Sequence, residues 1–593
     1  MALEAETETQ ALPVVGVPPR DAATWRNDLL IASSLGLLMF ALYVLPAVLW
    51  RPLFDPAEVR VAVAAREMVR SGNYALPTIG GAPWTAQPPL SCWLAALTAK
   101  VIGGGDASEH VMTRAVEIPS ALLAAFSVFL LALYGGTIGG RAAGILAGLI
   151  LGVGFIVARY AQLGSPDAAL MAASAAAFCS AAWLLCVPHA GALAAFAFGA
   201  SLGLGVLAGG VMPLLCLAAP LLLEIAIRHR FSFRKAMLFG MGLAVAACVA
   251  APWFFIVESR HPGALNEFAA YARDMLTPKV NEDSPLFLIY KLAAGMLPWT
   301  PLLLVAWPIY LFKKRAPEEV AANPHPIINE HLRFLMLAGI CAVIVLSVLD
   351  SKHAHFLVAL LPPVALASGV MLSRLKSPGG MAEERLAWLQ FYAGIMLGLA
   401  VAAIPLVAPA LTGRADRISE NIVKLNGKIG WSLISVGIVV ILASCYCARQ
   451  WAEGRTLHAG LLIAAAGFAG LMGYSFDWTT NTQKSPIAHE SARLRQEAAA
   501  HPYTQFFAAT NESEATDAKL TFYLDRPVLT VRKQLSGPNA PPPPRALLAT
   551  PEQLKVFRLQ ASAPPGQQFV MVPNVSEEDW EEIIKSVSVE RKQ

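Results

Sequence analysis

Asp55 and Glu58 stand three residues apart in the run Phe54-Asp55-Pro56-Ala57-Glu58-Val59-Arg60. Residues three apart on a helix are neighbours on one face. Two carboxylates so placed can work together, one taking a proton as a general base, or both holding a divalent metal ion through oxygen ligands. The same letters also spell a helix start, with Asp55 as N-cap, Pro56 in the first helical position and Glu58 closing a capping box. Both readings stand on these residues. A further acid, Asp167, ends the run Arg159-Tyr160-Ala161-Gln162-Leu163-Gly164-Ser165-Pro166-Asp167. Ser165-Pro166 again reads as a cap and first helical residue, with Asp167 near the positive end of the helix dipole. An acid at the edge of an apolar run, close to an arginine, is also a functional candidate.

Two other segments have chemical potential. Asp350-Ser351-Lys352-His353-Ala354-His355 gathers cationic groups beside an apolar run. Lys352 with the histidines suits a lipid phosphate, although a loop whose lysine snorkels to the interface would read the same way. A metal pair from His353 and His355 is disfavoured, because residues two apart on a helix do not face each other. Gly80 to Trp93 combines glycines, prolines and two tryptophans, a rigid amphipathic turn suited to the headgroup zone.

The elements that must position these residues are apolar helices. The chain has 593 residues, 56% hydrophobic and 15% charged, against about 25% charged in soluble domains. The apolar excess is concentrated in thirteen runs long enough to approach the ~30 Å hydrocarbon thickness, at about 29–50, 119–136, 142–158, 168–188, 190–209, 210–227, 236–257, 285–312, 334–349, 354–373, 386–411, 429–448 and 456–476. The first run is too long for a signal-peptide core and reads as a retained span. Net charge is only +4, which argues against a nucleic-acid partner. Seven of the eight cysteines lie inside apolar runs and there is no CxxC pair, so neither a disulfide framework nor a zinc site is expected.

Orientation follows from charge. With residues 1–28 as a cytoplasmic tail, the loops expected inside contain Arg228, Arg230, Arg234 and Lys235; then Lys313, Lys314 and Arg315; then Arg374, Lys376 and Arg385; then Arg449 and Arg455. All the candidate acids then face outside. The expectation is an all-α polytopic membrane domain over 29–476, with about 13 transmembrane helices and interfacial helices near Ala57–Val69 and Leu90–Val101 in the external loop 51–118. A small external α/β domain over 477–593 is read from short runs at Gln505–Thr510, Leu520–Leu524, Val528–Val531, Ala546–Thr550 and Gln568–Val572.

Taken in order, Asp55-Pro-x-Glu-x-Arg60, Ala65-Arg-Glu-Met68, Ser71-Gly-Asn-Tyr74, Gln87-Pro-Pro-Leu-x-x-Trp93, Ile118-Pro-Ser-Ala-Leu122, the Asp167 loop, Ala251-Pro-Trp253, Leu297-Pro-Trp299, Ser351-Lys-His353 with Pro362-Pro363, and Phe522-Tyr-Leu-Asp-Arg-Pro527 resemble the polyprenyl-phosphate-sugar-dependent glycosyltransferases. That superfamily includes the protein O-mannosyltransferases and, more closely, the bacterial lipid A aminoarabinose transferases. The resemblance implies a GT-C enzyme of the inner membrane with a periplasmic active site. It would pass a sugar from a polyprenyl-phosphate carrier, with inversion, to a lipid or protein acceptor. By motif position Asp55 would be the general base or the acid that orients the acceptor, Glu58 its support and Asp167 the second acid. Lys352 and His353 would hold the carrier phosphate, with Arg60 as a further candidate. This sequence departs from the family at Ala86 and Gln87, where a lysine is usual, and at Glu117, where an arginine is usual. Arg114, one helical turn earlier, is the expected substitute. The other readings are a non-catalytic polyprenyl-lipid-binding relative and a lipid-linked sugar transporter. The transporter would be expected to show inverted repeats, and no internal repeat is found.

Overall fold

The computed structural model describes residues 22–48, 52–85, 87–228, 232–276, 287–312, 326–348, 354–374, 381–411, 432–482, 486–500, 505–508, 516–530, 545–549 and 570–573, with a few isolated positions besides. The chain begins with α1 (Ala22–Val48), α2 (Pro56–Ser71), a hairpin of β1 (Thr78–Ile79) and β2 (Ala82–Pro83), α3 (Leu90–Gly103) and α4 (Glu109–Gly139). It continues through α5 (Arg141–Gly152), α6 (Phe155–Gln162), α7 (Asp167–Cys186), α8 (Ala192–Gly209), α9 (Met212–Arg228), α10 (Phe233–Arg260) and α11 (Ala264–Leu276).

A helical segment lies on each of the thirteen apolar runs. Among the described residues, seven helices are long and apolar enough to cross a membrane, or eight if α5 and α6 form one span bent by 63°. Of the rest, Leu361–Ser373, with 13 residues, reaches only about 20 Å. The bend between α5 and α6 falls at Gly154, which is extended (φ −61°, ψ 129°). There the otherwise orphaned Phe155 N–H donates to the Leu297 carbonyl at 3.1 Å, as a helix start inside an apolar bundle requires. The bend aims α6, with Arg159 in its last turn, toward α7.

Two apolar cores follow from this layout. The larger lies within the bundle and centres on α4, α5 and α7. The outer faces of the helices leave large side chains uncovered, such as Leu37, Leu122, Phe126 and Met396, as lipid contact allows. The second core joins Leu53, α2, α3 and the first turns of α4 to the tail, through Leu494, Phe506, Phe522 and Tyr523. The expected interfacial helices are present as α2 and α3, but the inner face of α2 is covered by protein, not by headgroups.

The tail forms a four-stranded sheet in the order β4 (Val528–Thr530), β3 (Gln505–Ala508), β5 (Arg545–Ala549), β6 (Val570–Val572). β3 is parallel to β4 and β5, and β6 is antiparallel to β5. The expected strand at Leu520–Leu524 is instead the end of a helix, Thr516–Leu524. Its last five residues are all buried, and a short continuous apolar run has no period to distinguish strand from helix.

Candidate active site

Asp55 is the N-cap of α2, with its side chain accepting from the Ala57 N–H at 3.0 Å. Glu58 closes the capping box and does more. Its Oε1 accepts from the N–H groups of Phe54 (2.8 Å) and Asp55 (3.0 Å). Its Oε2 accepts from Gly164 N–H, 106 residues away, at 3.4 Å. Glu58 is 0% exposed. One buried carboxylate therefore ties the Asp55 turn to the loop that leads into Asp167. Gly164 permits this because Val116 of α4 lies against its backbone: an added Cβ would sit 2.5 Å from Val116 Cγ2. Gly164→Ala is accordingly expected to displace the loop, costing about 1–3 kcal/mol and lowering transfer activity; thermal unfolding and a transfer assay read both.

Asp167 is the first residue of α7 and almost fully buried. No side chain caps this helix, and Pro166 occupies the N-cap position, so the expected Ser165 cap does not form. Arg159 is an electrostatic neighbour of both Asp55 and Asp167, and the two acids are neighbours of each other. His355, in the short 3-10 helix Ala354–Ala359, is a further neighbour of Asp167. Burial pushes the Asp55 carboxyl above the usual carboxylate range, and the neighbouring Glu58 carboxylate pushes the same way. The Ala57 N–H and Arg159 oppose this, and Asp167 adds to it.

A cavity of about 190 Å³ opens beside these groups. Its polar lining comes from Asp167, His355 and Gln87, and its apolar lining includes Leu170, Phe254 and Phe268. Ala57, two residues beyond Asp55, also lines it. So does Gly210, whose φ of 62° and ψ of −125° turn α8 into α9 in a conformation open to glycine. Gln87 is delivered by the hairpin, which bends at Gly80 and Gly81 with both φ positive. Glu67 of α2 holds that bend, accepting from Gly80 N–H at 2.7 Å and from the Thr78 hydroxyl. Trp93, read as a headgroup anchor, instead donates its indole N–H to the Tyr74 carbonyl at 2.7 Å.

Of the sequence candidates, Asp55, Glu58 and Asp167 come together. Arg60 is half-buried on α2 and does not line the cavity. Arg114 lies on the exposed stripe of α4 that continues through Leu122 and Phe126, whereas Glu117 is buried; Arg114 therefore does not take the expected position beside the site. Lys352 and His353 lie outside the described residues, as does Ala86. The paired-carboxylate metal site does not fit, because Glu58 is engaged by three backbone donors. Among the described residues no three His, Cys, Asp or Glu side chains converge on a cation site. His355, read with Lys352 and His353 as a cationic segment, lines the cavity; the Glu58–Gly164 link was missed and has no local signal.

Residues 86–256 match the family described as dolichyl-phosphate-mannose-protein mannosyltransferase. The undecaprenyl phosphate-alpha-4-amino-4-deoxy-L-arabinose arabinosyl transferase of Erwinia tasmaniensis is 23% identical over 72% of this chain and 74% of its own length. The protein of the same name from Pectobacterium atrosepticum is 25% identical over 68% of this chain and 71% of its own. Among solved structures, ArnT from Cupriavidus metallidurans bound to undecaprenyl phosphate superposes with a TM-score of 0.72, at 18% identity, covering 94% of this chain and 99% of that one. The archaeal oligosaccharyltransferase AglB of Archaeoglobus fulgidus gives 0.50, at 10% identity, covering 92% and 74%. The resemblance read from the motifs is borne out: this chain is a multi-pass membrane protein with the GT-C glycosyltransferase fold, similar along most of its length to the aminoarabinose transferases.

Proposed function

We propose that this protein is an inverting membrane glycosyltransferase that takes a single sugar from a polyprenyl-phosphate carrier and passes it to a lipid hydroxyl or phosphate. The observation that carries the reading is a cavity lined by Asp167 and His355, with Asp55 and Arg159 as electrostatic neighbours of Asp167 next to it. Asp55 takes the proton of the attacking acceptor group. The new bond forms at the anomeric carbon as the bond to the carrier phosphate breaks, and the phosphate leaves with the electron pair. Positive charge is needed where that negative charge grows. Arg159, whose buried Nε has no hydrogen-bond partner among the described residues, supplies it, with His355 as a hydrogen-bond donor to the phosphate; the motif resemblance adds Lys352 and His353, which lie outside the described residues. Asp167 orients the sugar and keeps Arg159 in place. The cavity, at about 190 Å³, is below the ~300 Å³ lower end of drug-sized sites and suits one sugar unit.

The basic loop clusters support thirteen crossings of the inner membrane, with the N-terminus cytoplasmic and the site and tail periplasmic. The names of the relatives make undecaprenyl-phosphate aminoarabinose the first donor to try and a membrane lipid the first acceptor class. The test incubates the purified chain with labelled polyprenyl-phosphate sugars and total membrane lipid, and follows label into a new lipid by mass. Transfer establishes the reaction and names its acceptor. Carrier binding without transfer favours the non-catalytic reading, for which Gln87 at the cavity is the observation to pursue.

A further inference from the structure

We infer that Tyr523 of the C-terminal tail is a positioning residue for the reaction, holding the backbone that presents Asp55. This rests on the reading of Asp55 as the base. The turn between α1 and α2 is not helical from residue 52 to residue 55, so its backbone polar groups need partners from elsewhere. Phe54 and Asp55 N–H are taken by Glu58, and the Asp55 carbonyl accepts from Val59 N–H at 3.1 Å. The Leu53 carbonyl belongs to a residue with 0% exposure. It is satisfied by the Tyr523 hydroxyl at 2.7 Å, across 470 residues of sequence.

Tyr523 is itself fixed. It is 1% exposed, its ring meets Phe522 edge-on at 5.1 Å, and its carbonyl accepts from Arg495. The helix Thr516–Leu524 is fastened to α2 by Arg66, which donates to the Phe522 and Thr521 carbonyls (2.8 and 2.7 Å) and pairs with Asp525 at 3.1 Å. Arg70 adds a second pair to Asp525 at 2.7 Å. The tail thus has two separable roles at this surface: the arginines dock it, and the tyrosine hydroxyl fixes the turn two residues before Asp55.

Full-length variants in detergent test this, by transfer kinetics across pH beside thermal unfolding. Tyr523→Phe deletes one oxygen and keeps the ring. It is expected to lower kcat about ten-fold, since small displacements of a reacting group are costly, with KM for the polyprenyl-phosphate sugar unchanged. The acid limb of its pH profile should move to lower pH, because a looser Asp55 hydrates better while its charged neighbours Glu58, Arg159 and Asp167 remain. Asp525→Asn breaks both arginine pairs but leaves the Leu53 carbonyl satisfied, and asparagine tolerates the left-handed φ of 58° found there. It should melt earlier with wild-type kcat and pH limb. Wild-type kcat and pH limb in Tyr523→Phe overturn the inference. So does an Asp525→Asn enzyme with the same ten-fold loss, because docking alone would then set the rate. Asp55→Asn runs alongside: an inactive variant upholds the base, and the other two variants then separate positioning from docking. A wild-type rate in Asp55→Asn removes the base reading, and this inference with it.

Discussion

Replacing Asp55 by Asn is expected to cut sugar transfer about 10³-fold, within the range of ~10²–10⁴ for loss of a general base, while leaving the fold at least as stable. Asparagine caps a helix as well as aspartate, so the bond from Ala57 N–H is retained. The stability sign follows from linkage. Burial raises the Asp55 carboxyl, so the folded protein favours the acid form. That contribution is full at low pH and is lost as pH rises through the raised folded value. At neutral pH the wild type holds an ionised, partly desolvated carboxylate, and the neutral asparagine does not. The melting temperature of Asp55→Asn should therefore equal or exceed that of the wild type at neutral pH, with the difference shrinking in acid. Wild-type activity should fall, as pH drops, at a higher pH than an ordinary carboxylate would dictate. Rate and melting temperature measured on the same pH series decide both points. A variant that keeps the wild-type rate would show that Asp55 is a cap and not the base.

Glu58→Ala is expected to produce the opposite combination, losing stability and activity together. Three backbone N–H groups, on Phe54, Asp55 and Gly164, lose their acceptor in a site with no exposure. A buried donor left unpaired costs about 1–3 kcal/mol. Allowing for water entering the space, a loss of about 3 kcal/mol is expected, with transfer reduced about 10²-fold as the two acids drift apart. Glu58→Gln separates the two effects. Its amide oxygen can still accept from Phe54 and Asp55, so most of the stability should return. The charge that helps raise Asp55 is gone, so the acid limb should shift to lower pH. Thermal unfolding with pH-resolved kinetics on the two variants checks this; an unshifted limb in Glu58→Gln would mean that Glu58 does not act on Asp55 electrostatically.

Features written within a few residues of each other were legible in the sequence. The capping box at Asp55–Glu58, the helices on every apolar run, the glycine turn at Gly80-Gly81 and four of the five short runs in the tail all follow from local rules. At Asp55 the two competing sequence readings describe the same geometry: the cap is present, and the capping residue also faces Arg159 and Asp167. What could not be read depends on partners distant in sequence. Glu58 reaches Gly164 because Val116 packs against a residue with no side chain, and neither segment contains a sign of the other. Arg114 looked like a substitute for the cation missing at Glu117, and the two are only about 60° apart around the helix, but the edge of the buried face falls between them: Arg114 is exposed and Glu117 buried. Arg66 was read only as part of a motif, and its role appears once the tail is folded against it.

The contact between Arg66 and the Phe522 carbonyl spans 456 positions, and this has a bearing on how the protein is made. α2 and α3 emerge early in synthesis, yet the core they share with Phe506, Phe522 and Tyr523 is complete only when the last tenth or so of the chain has been delivered. Until then Arg66, 3% exposed in the finished protein, has no carbonyls to bond, and the Leu53 carbonyl has no donor. Such long-range closure is slow, because the loop entropy is spent before the contacts reward it. A nascent chain can therefore already hold every membrane helix while the tail contacts that join Arg66 and the Leu53 carbonyl to the C-terminal helix are still unmade.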